Sequence, residues 1–406
     1  MFQWMDPHWR LQSGFWTGLN TTTALLNVTE DIREACDERK LTVLTLLDFS
    51  KAFDSVNIDL LLLKLKKLHL SDSTINWLDS YLHERQQSIV YWKQHSSWLN
   101  VTSGVPQGSV LGPLLFTIYI NDISTVIKHC KYHLYADDMQ CYISTDINSI
   151  NDTIVKMNED ITSISDWTKK FYLNLNAKKT QTIIIGNKQL LTRLDMTTVN
   201  PVTVNNTPIP YSSTVKNLGV LVDSDLNWHS QVAETCRKIF SSIHVIKRCD
   251  IFLTLTLKKT LVQTLIMPHF DYADVLLTNL TSDMKLKLQR AHNMCIRFIC
   301  NIRKYDHITP SLETLNWIKL TERRTSHTLQ LLYQILNSSS PTYLSSRFTY
   351  LSSHHNLYTR SRFDATLSIP PHRTSLYSSS FTVTSTRLWN SLPTYIRDCR
   401  TVKEFK

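Results

Sequence analysis

At 406 residues and 47.2 kDa, with 42% apolar residues, the chain has room for two or three domains with real cores and is too apolar for wholesale disorder. Its net charge of +10 is unevenly spread: residues 1–228 carry 20 Lys/Arg against 23 Asp/Glu (net −3), and residues 229–406 carry 24 against 11 (net +13), which suits a polyanionic partner for the second half. Eight cysteines without a C-x2-C pair argue against a disulfide framework or a zinc site, and no apolar run reaches membrane-spanning length, so an intracellular chain without signal peptide or membrane segment is expected.

In chain order, residues 21–39 place Leu25, Leu26, Ile32 and Ala35 on one face and predict an amphipathic helix. An apolar run over 42–47 predicts a strand ending at Asp48. Helical runs follow at 58–68 and 75–82, and residues 88–99 alternate as strands or a hairpin do. Ser109 opens a helix with apolar residues through Ile123. Two apolar runs, 132–136 and 139–143, flank Asp137-Asp138. Residues 149–171 form a long amphipathic pattern (Ile150, Ile154, Met157, Ile161, Ile164), and 181–185 a β-branched strand. Beyond 229 the pattern is helical, at 232–246, 257–267 and 284–299, with Lys and Arg on the polar faces. His292 and Cys295 stand one turn apart and, with Cys300, read as lining a helix. Residues 338–386, rich in Ser, Thr, Tyr and Arg and containing Pro370-Pro371, lack periodicity and read as loop. The whole is an α+β arrangement.

The chemistry lies in three aspartates. If neighbouring strands bring Asp48 beside Asp137 and Asp138, their like charges repel unless cations lie between them. Oxygen ligands on an open site suit Mg²⁺, and a pair of such ions can clamp the attacking and leaving oxygens of a phosphoryl transfer. Each piece alone has a plainer reading: Asp-Asp between apolar runs is a common hairpin turn, and an aspartate after a strand often caps a helix. Glycine usage adds weight. Of only seven glycines, Gly14, Gly104, Gly108, Gly112 and Gly219 all fall in the few blocks described next.

Those blocks resemble the reverse transcriptases of non-LTR (LINE-type, jockey-like) retrotransposons. Gln12-Ser13-Gly14-Phe15 with 20–25 is similar to the family's fingers motif, and Asp48-Phe49-Ser50-Lys51-Ala52-Phe53-Asp54 to its motif A. Ser103-Gly104-Val105-Pro106-Gln107-Gly108-Ser109-Val110-Leu111-Gly112-Pro113 matches motif B, and Tyr135-Ala136-Asp137-Asp138 is motif C. Leu175-Asn176 with Lys179-Thr180 resembles motif D, residues 215–220 the primer-grip motif E, and Trp389-Asn390-Ser391-Leu392-Pro393 a signature near the end of such polyproteins. Two departures stand out: Trp16 replaces the arginine that normally follows the fingers Gly-Phe, and the earlier fingers block, the endonuclease and an RNase H have no counterpart. The resemblance therefore implies an N-terminally truncated copy.

It further implies a right-hand polymerase palm with partial fingers, followed by a mainly helical thumb and C-terminal region. The boundaries expected are 1–40 for partial fingers, 41–228 for the palm with motifs A to E, 229–337 for the thumb and following helices, and 338–406 for a loop-rich end. By the same resemblance Asp48 and Asp137 hold two Mg²⁺ ions (Mn²⁺ as alternative), with help from Asp138 and the Phe49 carbonyl. Phe53 faces the incoming sugar, Gln107 and Gly108 the nascent base pair, and Lys179 the leaving pyrophosphate. Leu218 and Gly219 position the primer end. The partners implied are an RNA template, a DNA primer and dNTPs, in the nucleus. Two alternatives are a non-catalytic nucleic-acid-binding remnant and a group II intron-type maturase.

Overall fold

The computed structural model describes residues 11–351 and 365–405. Residues 1–10, in the segment expected to be partial fingers, and 352–364 and 406, in the segment expected to be loop-rich, lie outside the described residues. The chain is α+β and divides into two compact units, one of Met1–Ala24, Leu41–Ile184 and Gln189–Ser212, the other of Leu25–Lys40, Ile185–Lys188 and Ser213–Lys406. Helix α1 (Thr21–Asp37) begins at Asn20, whose side-chain oxygen accepts from the Thr23 N–H at 2.9 Å while the Thr23 hydroxyl accepts from the Asn20 N–H at 3.1 Å.

The first unit is built on strand β1 (Leu41–Leu47), followed by helices α2 (Ile58–Lys67) and α3 (Asp72–Leu82). Asn57 and Ser71 cap the two helices through their side-chain oxygens. Four two-residue strands come next, β2 (Gln86–Gln87), β3 (Val90–Tyr91), β4 (Gln94–His95) and β5 (Leu99–Asn100), then helix α4 (Leu111–Ile120). Strands β6 (Lys131–Tyr135) and β7 (Asp138–Thr145) form a hairpin, helix α5 (Ile150–Lys170) follows, and strand β8 (Gln181–Ile185) completes a four-stranded sheet of order β6-β7-β1-β8. Helix α6 (Lys188–Arg193) and a small ladder of β9 (Val202–Val204) with β10 (Thr207–Ile209) close the unit.

Nearly all of β1 is buried, which explains its almost unbroken apolar run. Its two inward threonines are satisfied by Ser144 at 2.9 Å and Thr182 at 3.2 Å. One face of α5 buries Ile150, Ile154, Met157, Ile161 and Ile164, each worth roughly 1.5–3 kcal/mol when fully buried. From the same helix, buried Asp160 accepts the backbone N–H groups of Lys128, His129 and Cys130 at 2.7–2.9 Å, fixing the entry to β6.

The second unit opens with a hairpin of β11 (Thr214–Asn217) and β12 (Val220–Asp223), then becomes helical. Besides most of α1, its helices include α7 (His229–Lys247), α8 (Leu255–Leu261), α9 (Met267–Asp271), α10 (Ser282–Cys300), α11 (Thr309–Leu315), α12 (Leu320–Ser338), α13 (Thr342–Ser345), α14 (Ser375–Ser378) and α15 (Phe381–Asn390). The single helix expected over 257–267 is broken by a π-helical turn at Val262–Ile266. Pro268, at the start of α9, can neither donate a hydrogen bond nor tolerate a carbonyl one turn back, so the backbone widens ahead of it.

Residues 338–386, aperiodic in sequence, carry α13, α14 and the start of α15. Carboxylates of α1 cap two of these. Glu30, fully buried, accepts the N–H groups of Phe381 and Thr382 at 2.9 and 2.8 Å, and Asp37 accepts those of Arg373 and Thr374 at 3.0 and 2.6 Å. Arg33, also buried, donates to the carbonyls of Leu276 and Ser379 and to Thr278, and Arg347 pairs with Asp31 and Glu34. No helix among the described residues is long and apolar enough to cross a membrane.

Candidate active site

Sheet register brings the aspartates together. β1 and β7 run antiparallel with Leu47 opposite Met139, so the next residue of each strand, Asp48 and Asp138, stands at the same edge of the sheet. Tyr135 pairs with Asp138 across β6 and β7, leaving a two-residue turn of Ala136 and Asp137 in which Ala136 takes φ 56°. The pair is thus a hairpin turn and a carboxylate cluster at once.

Burial raises the Asp137 carboxyl above its usual range, and the neighbouring Asp48 charge adds to the effect. Asp138 keeps an exposed surface but loses part of its hydration to the surrounding protein. It is pushed up to about 6 by that desolvation first, then by Asp137 and Asp48. Asp48 Oδ2 is buried and accepts no hydrogen bond; the Lys179 ammonium lies 4.0 Å away. An orphaned carboxylate oxygen beside two mutually repelling carboxylates is an unfavourable arrangement unless a cation joins it. The donor set is all oxygen, which fits a hard divalent ion.

The segment 11–14 clamps the aspartate turn. Buried Gln12 accepts the N–H groups of Ala136 at 2.9 Å and Gly14 at 2.8 Å, and its amide donates to the Ala136 carbonyl at 3.3 Å. Ser13 donates its N–H to Leu134 O at 2.9 Å, and its hydroxyl meets His133 Nε2 at 2.9 Å. A Cβ on Gly14 would sit 2.3 Å from Ala136 N, so only glycine lets the two backbones approach this closely. The sequence points to this segment as a motif but not to Gln12 as the residue that holds the turn.

Motif A and motif B are tied to one another. Phe49 is a core residue, while the backbone on either side of it bonds to 174–176 (Ser50 N–H to Asn174 O, Asn176 N–H to Asp48 O, both 2.8 Å). That pairing sets Lys179 beside Asp48. Phe53 lies in the short turn Ala52–Ser55, its ring stacked on Phe116 at 4.2 Å and edge-on to Phe15 at 6.2 Å. Val105 N–H donates to Phe53 O, Ser103 Oγ to Asp54 O and Gln107 Nε2 to Asp54 Oδ1, at 3.0, 2.9 and 2.7 Å. Gly104, at φ 87°, brings its Cα within reach of the Asp54 backbone; a Cβ there would meet Asp54 Cα at 2.9 Å. Gln107 and Gly108 are exposed in the loop ahead of α4. Asp48, Phe53, Gln107, Asp137, Asp138 and Lys179 therefore all belong to the first unit.

Leu218 and Gly219 belong to the second, where they form the β11–β12 turn and Tyr272 Oη donates to Leu218 O at 2.6 Å. That unit also holds a basic cleft of about 760 Å³, lined by Lys247, Arg290, Arg297 and Lys304 with Asp250 as its one carboxylate. His292 and Cys295 lie buried along α10, and His292 packs between Phe270 and Trp317. Among the described residues, the group whose ligand atoms converge within 4.8 Å is Asp271, Asp274 and His327, which no sequence motif signals. Its carboxylates are already engaged, Asp271 by a two-pronged Arg323 contact at 2.6 Å and Asp274 by His327 at 2.8 Å, so it reads as an ion-pair network. Asp48, Asp137 and Asp138 interact through space without converging to that distance.

Residues 4–222, more than half of the chain, match the family described as Reverse transcriptase (RNA-dependent DNA polymerase). The probable RNA-directed DNA polymerase from transposon X-element of Drosophila melanogaster is 27% identical over 298 residues, 71% of this chain and 31% of the relative. That from transposon BS of the same organism is 26% identical over 330 residues, 78% of this chain and 35% of the relative. The RNA-directed DNA polymerase from mobile element jockey of Drosophila funebris is 27% identical over 230 residues, 55% of this chain and 24% of the relative. The chain spans about a third or less of the length of these curated relatives. A solved structure of apo telomerase from Candida Tropicalis aligns with TM-score 0.43 and 10% identity, covering 84% of this chain and 52% of that one.

Proposed function

Because the chain belongs to the reverse transcriptase (RNA-dependent DNA polymerase) family, on the side of the non-LTR retrotransposons its relatives represent, we propose that it carries the polymerase centre of such an element and extends a DNA primer on an RNA template. The observation that carries this reading is the meeting of Asp48 with Asp137 and Asp138 at one edge of the sheet, with Asp48 Oδ2 buried and without a hydrogen bond.

In this reading Asp48 and Asp137 are the principal ligands of two Mg²⁺ ions, with Mn²⁺ as substitute, and Asp138 and the Phe49 carbonyl complete the set. Such a pair of ions, when bound, lowers the barrier to nucleotidyl transfer by stabilising charge on the attacking and leaving oxygens. The protein's own groups do the rest. Lys179, held beside Asp48 by the 174–176 pairing, brings a positive charge and a proton donor to the pyrophosphate side. Phe53, on the turn directly after motif A, presents bulk toward the sugar of the incoming dNTP, and its stacking on Phe116 makes that wall rigid. Gln107 is oriented by Asp54 and lies along the nascent pair with Gly108. Leu218 and Gly219 position the primer end. The +13 charge of residues 229–406 and the cleft of Lys247, Arg290, Arg297 and Lys304 support a thumb-like role in holding the duplex backbone. Residues 1–40 then act as partial fingers, 41–228 as palm, 229–337 as thumb and following helices and 338–406 as a C-terminal region, and the nucleus is the compartment of action.

The test is primer extension on an RNA template with dNTPs and Mg²⁺, comparing the chain with Asp137→Ala and Asp138→Ala. Extension by the chain, abolished by Asp137→Ala and reduced less by Asp138→Ala, is the expected result. Near-normal extension by the Asp137 variant removes the site assignment, and no extension by any form removes the polymerase reading.

A further inference from the structure

Between α3 and motif B the chain makes a β-ribbon, β2 to β5, that no described residue of the first unit covers. Gln86 pairs with Asn100 and Gln87 with Leu99 at its stem, and Val90 pairs with His95 and Tyr91 with Gln94 at its tip. Ordinary hairpins of this size bury one face; this one buries neither. Ile89, Tyr91, Trp92 and Trp98 are 75%, 73%, 84% and 62% exposed. Contiguous exposed apolar surface of this kind marks an interaction site.

Three observations point to the occupant. First, the tip turn places two non-glycine residues, Trp92 at φ 45° and Lys93 at φ 66°, where Asn-Gly is the favoured pair. The ribbon accepts that strain and thereby holds the largest aromatic side chain and a cation at its apex. Second, no Asp or Glu occurs between Glu84 and Asp122, while Arg85, Lys93 and His95 lie along the same stretch. Exposed aromatic rings with a lysine, Lys93, at the apex and no carboxylates complement unpaired bases on a phosphate backbone, because every base offers a face to stack on. A protein partner for an apolar patch needs no such exclusion of acids. Third, the ribbon is continuous with the active-site loop. Arg85 donates from its guanidinium to the carbonyls of Leu82 and Gly104, and its own carbonyl accepts the Val101 N–H at 2.8 Å. Gly104 opens the loop that carries Gln107.

We propose that the ribbon of residues 86–100 is a stacking platform for single-stranded template RNA, with Trp92 and Trp98 as its principal rings and Lys93 as its phosphate contact. The proposal rests on the polymerase reading for the identity of the strand, but its chemistry needs no catalysis. Each stacked ring is expected to strengthen binding roughly tenfold.

The experiment measures equilibrium binding of a fluorescent, unstructured RNA oligomer and of a blunt RNA–DNA hybrid to the full chain and to variants, at one fixed salt concentration. Trp92→Ala with Trp98→Ala is expected to weaken the single-stranded RNA by tenfold or more and leave the hybrid within about twofold. Trp92→Phe with Trp98→Phe should restore most of the loss. Because these side chains are exposed, the variants should melt as wild type does. Unchanged single-strand affinity, or an equal loss for both ligands, overturns the proposal. So does a wild-type dimer that the double alanine variant converts to monomer, which would make the ribbon a self-association surface. The outcome is separable from the polymerase reading: a chain that does not extend primers but loses RNA affinity on ring removal keeps the platform, and one that extends primers but binds RNA equally well without the rings loses it.

Discussion

The closest backbone approach in the candidate site supplies the sharpest prediction. Replacing Gly14 by alanine adds one methyl group whose carbon would fall 2.3 Å from Ala136 N, about 1 Å inside an ordinary van der Waals contact. The two nearest atoms facing it are backbone and the third is the Ala136 Cβ, so no side-chain rotation relieves the overlap. Ala136 is already in the left-handed region, and Gln12 holds it on both its N–H and its carbonyl. The turn must therefore move as a body, and Asp137 moves with it. Overpacking of this kind costs about 1–3 kcal/mol of stability. If Asp137 holds a metal as proposed, a shift of about 1 Å there costs about 100-fold in turnover, well beyond what the stability loss alone would produce in a protein that stays folded. Urea unfolding and primer extension on one preparation measure both. Gly18→Ala is the control: it carries φ 80° but an added Cβ meets nothing within 4 Å, so it should cost about 1 kcal/mol in stability and leave turnover intact. If Gly14→Ala extends primers as well as Gly18→Ala does, the clamp on the aspartate turn has no part in placing Asp137.

Two further outcomes are expected. Phe53→Val should admit ribonucleotides on an RNA template while sparing dNTP use, and should also destabilise the fold by about 1–2 kcal/mol because the ring stacks on Phe116; unchanged sugar selectivity with the same loss of stability would make Phe53 a packing residue only. His292 is buried and its imidazole is pulled down to about 4, chiefly by desolvation and then by Arg323, so the folded state resists a proton that the unfolded chain accepts near 6.5. Stability should therefore fall by about 3 kcal/mol as pH drops from 7 toward 4, and His292→Gln should remove that share of the slope in urea midpoints measured across the window; identical slopes would show that another group sets it.

Much of the site could be read from the sequence because its residues end apolar runs of strand type: Asp48 after 42–47, and Asp137-Asp138 between 132–136 and 139–143. What could not be read was their register. Leu47 opposite Met139 depends on a pairing across nearly one hundred residues, to which local periodicity is blind. The same holds for Gln12, an ordinary polar residue in sequence whose partner Ala136 lies 124 residues away. Helices α7 and α10 follow their periodic stretches closely, whereas α14 and α15 showed no pattern. They are short, and besides their own N-cap side chains, Thr374 and Ser380, their first turns depend on Glu30 and Asp37 of α1, far away in the chain. The π-turn at Val262–Ile266 was not legible: α9 runs on through Pro268, so the proline marks no helix end, and its effect on the turn ahead shows only in the folded backbone.

The carboxylates of α1 also impose an order in time. Glu30 finds its partners at Phe381 and Thr382, 351 and 352 positions later in the chain. During synthesis at roughly 5–20 residues per second, this glutamate waits on the order of 20–70 s before the segment that satisfies it emerges. Closing so long a loop adds little to the equilibrium cost, which grows only with the logarithm of length, but it makes completion of the second unit a late event. Throughout that interval the Glu30 carboxylate lacks the N–H groups that finally satisfy it. The yield of folded protein in a cell should accordingly depend on translation speed and chaperone supply more than the finished structure's stability would suggest.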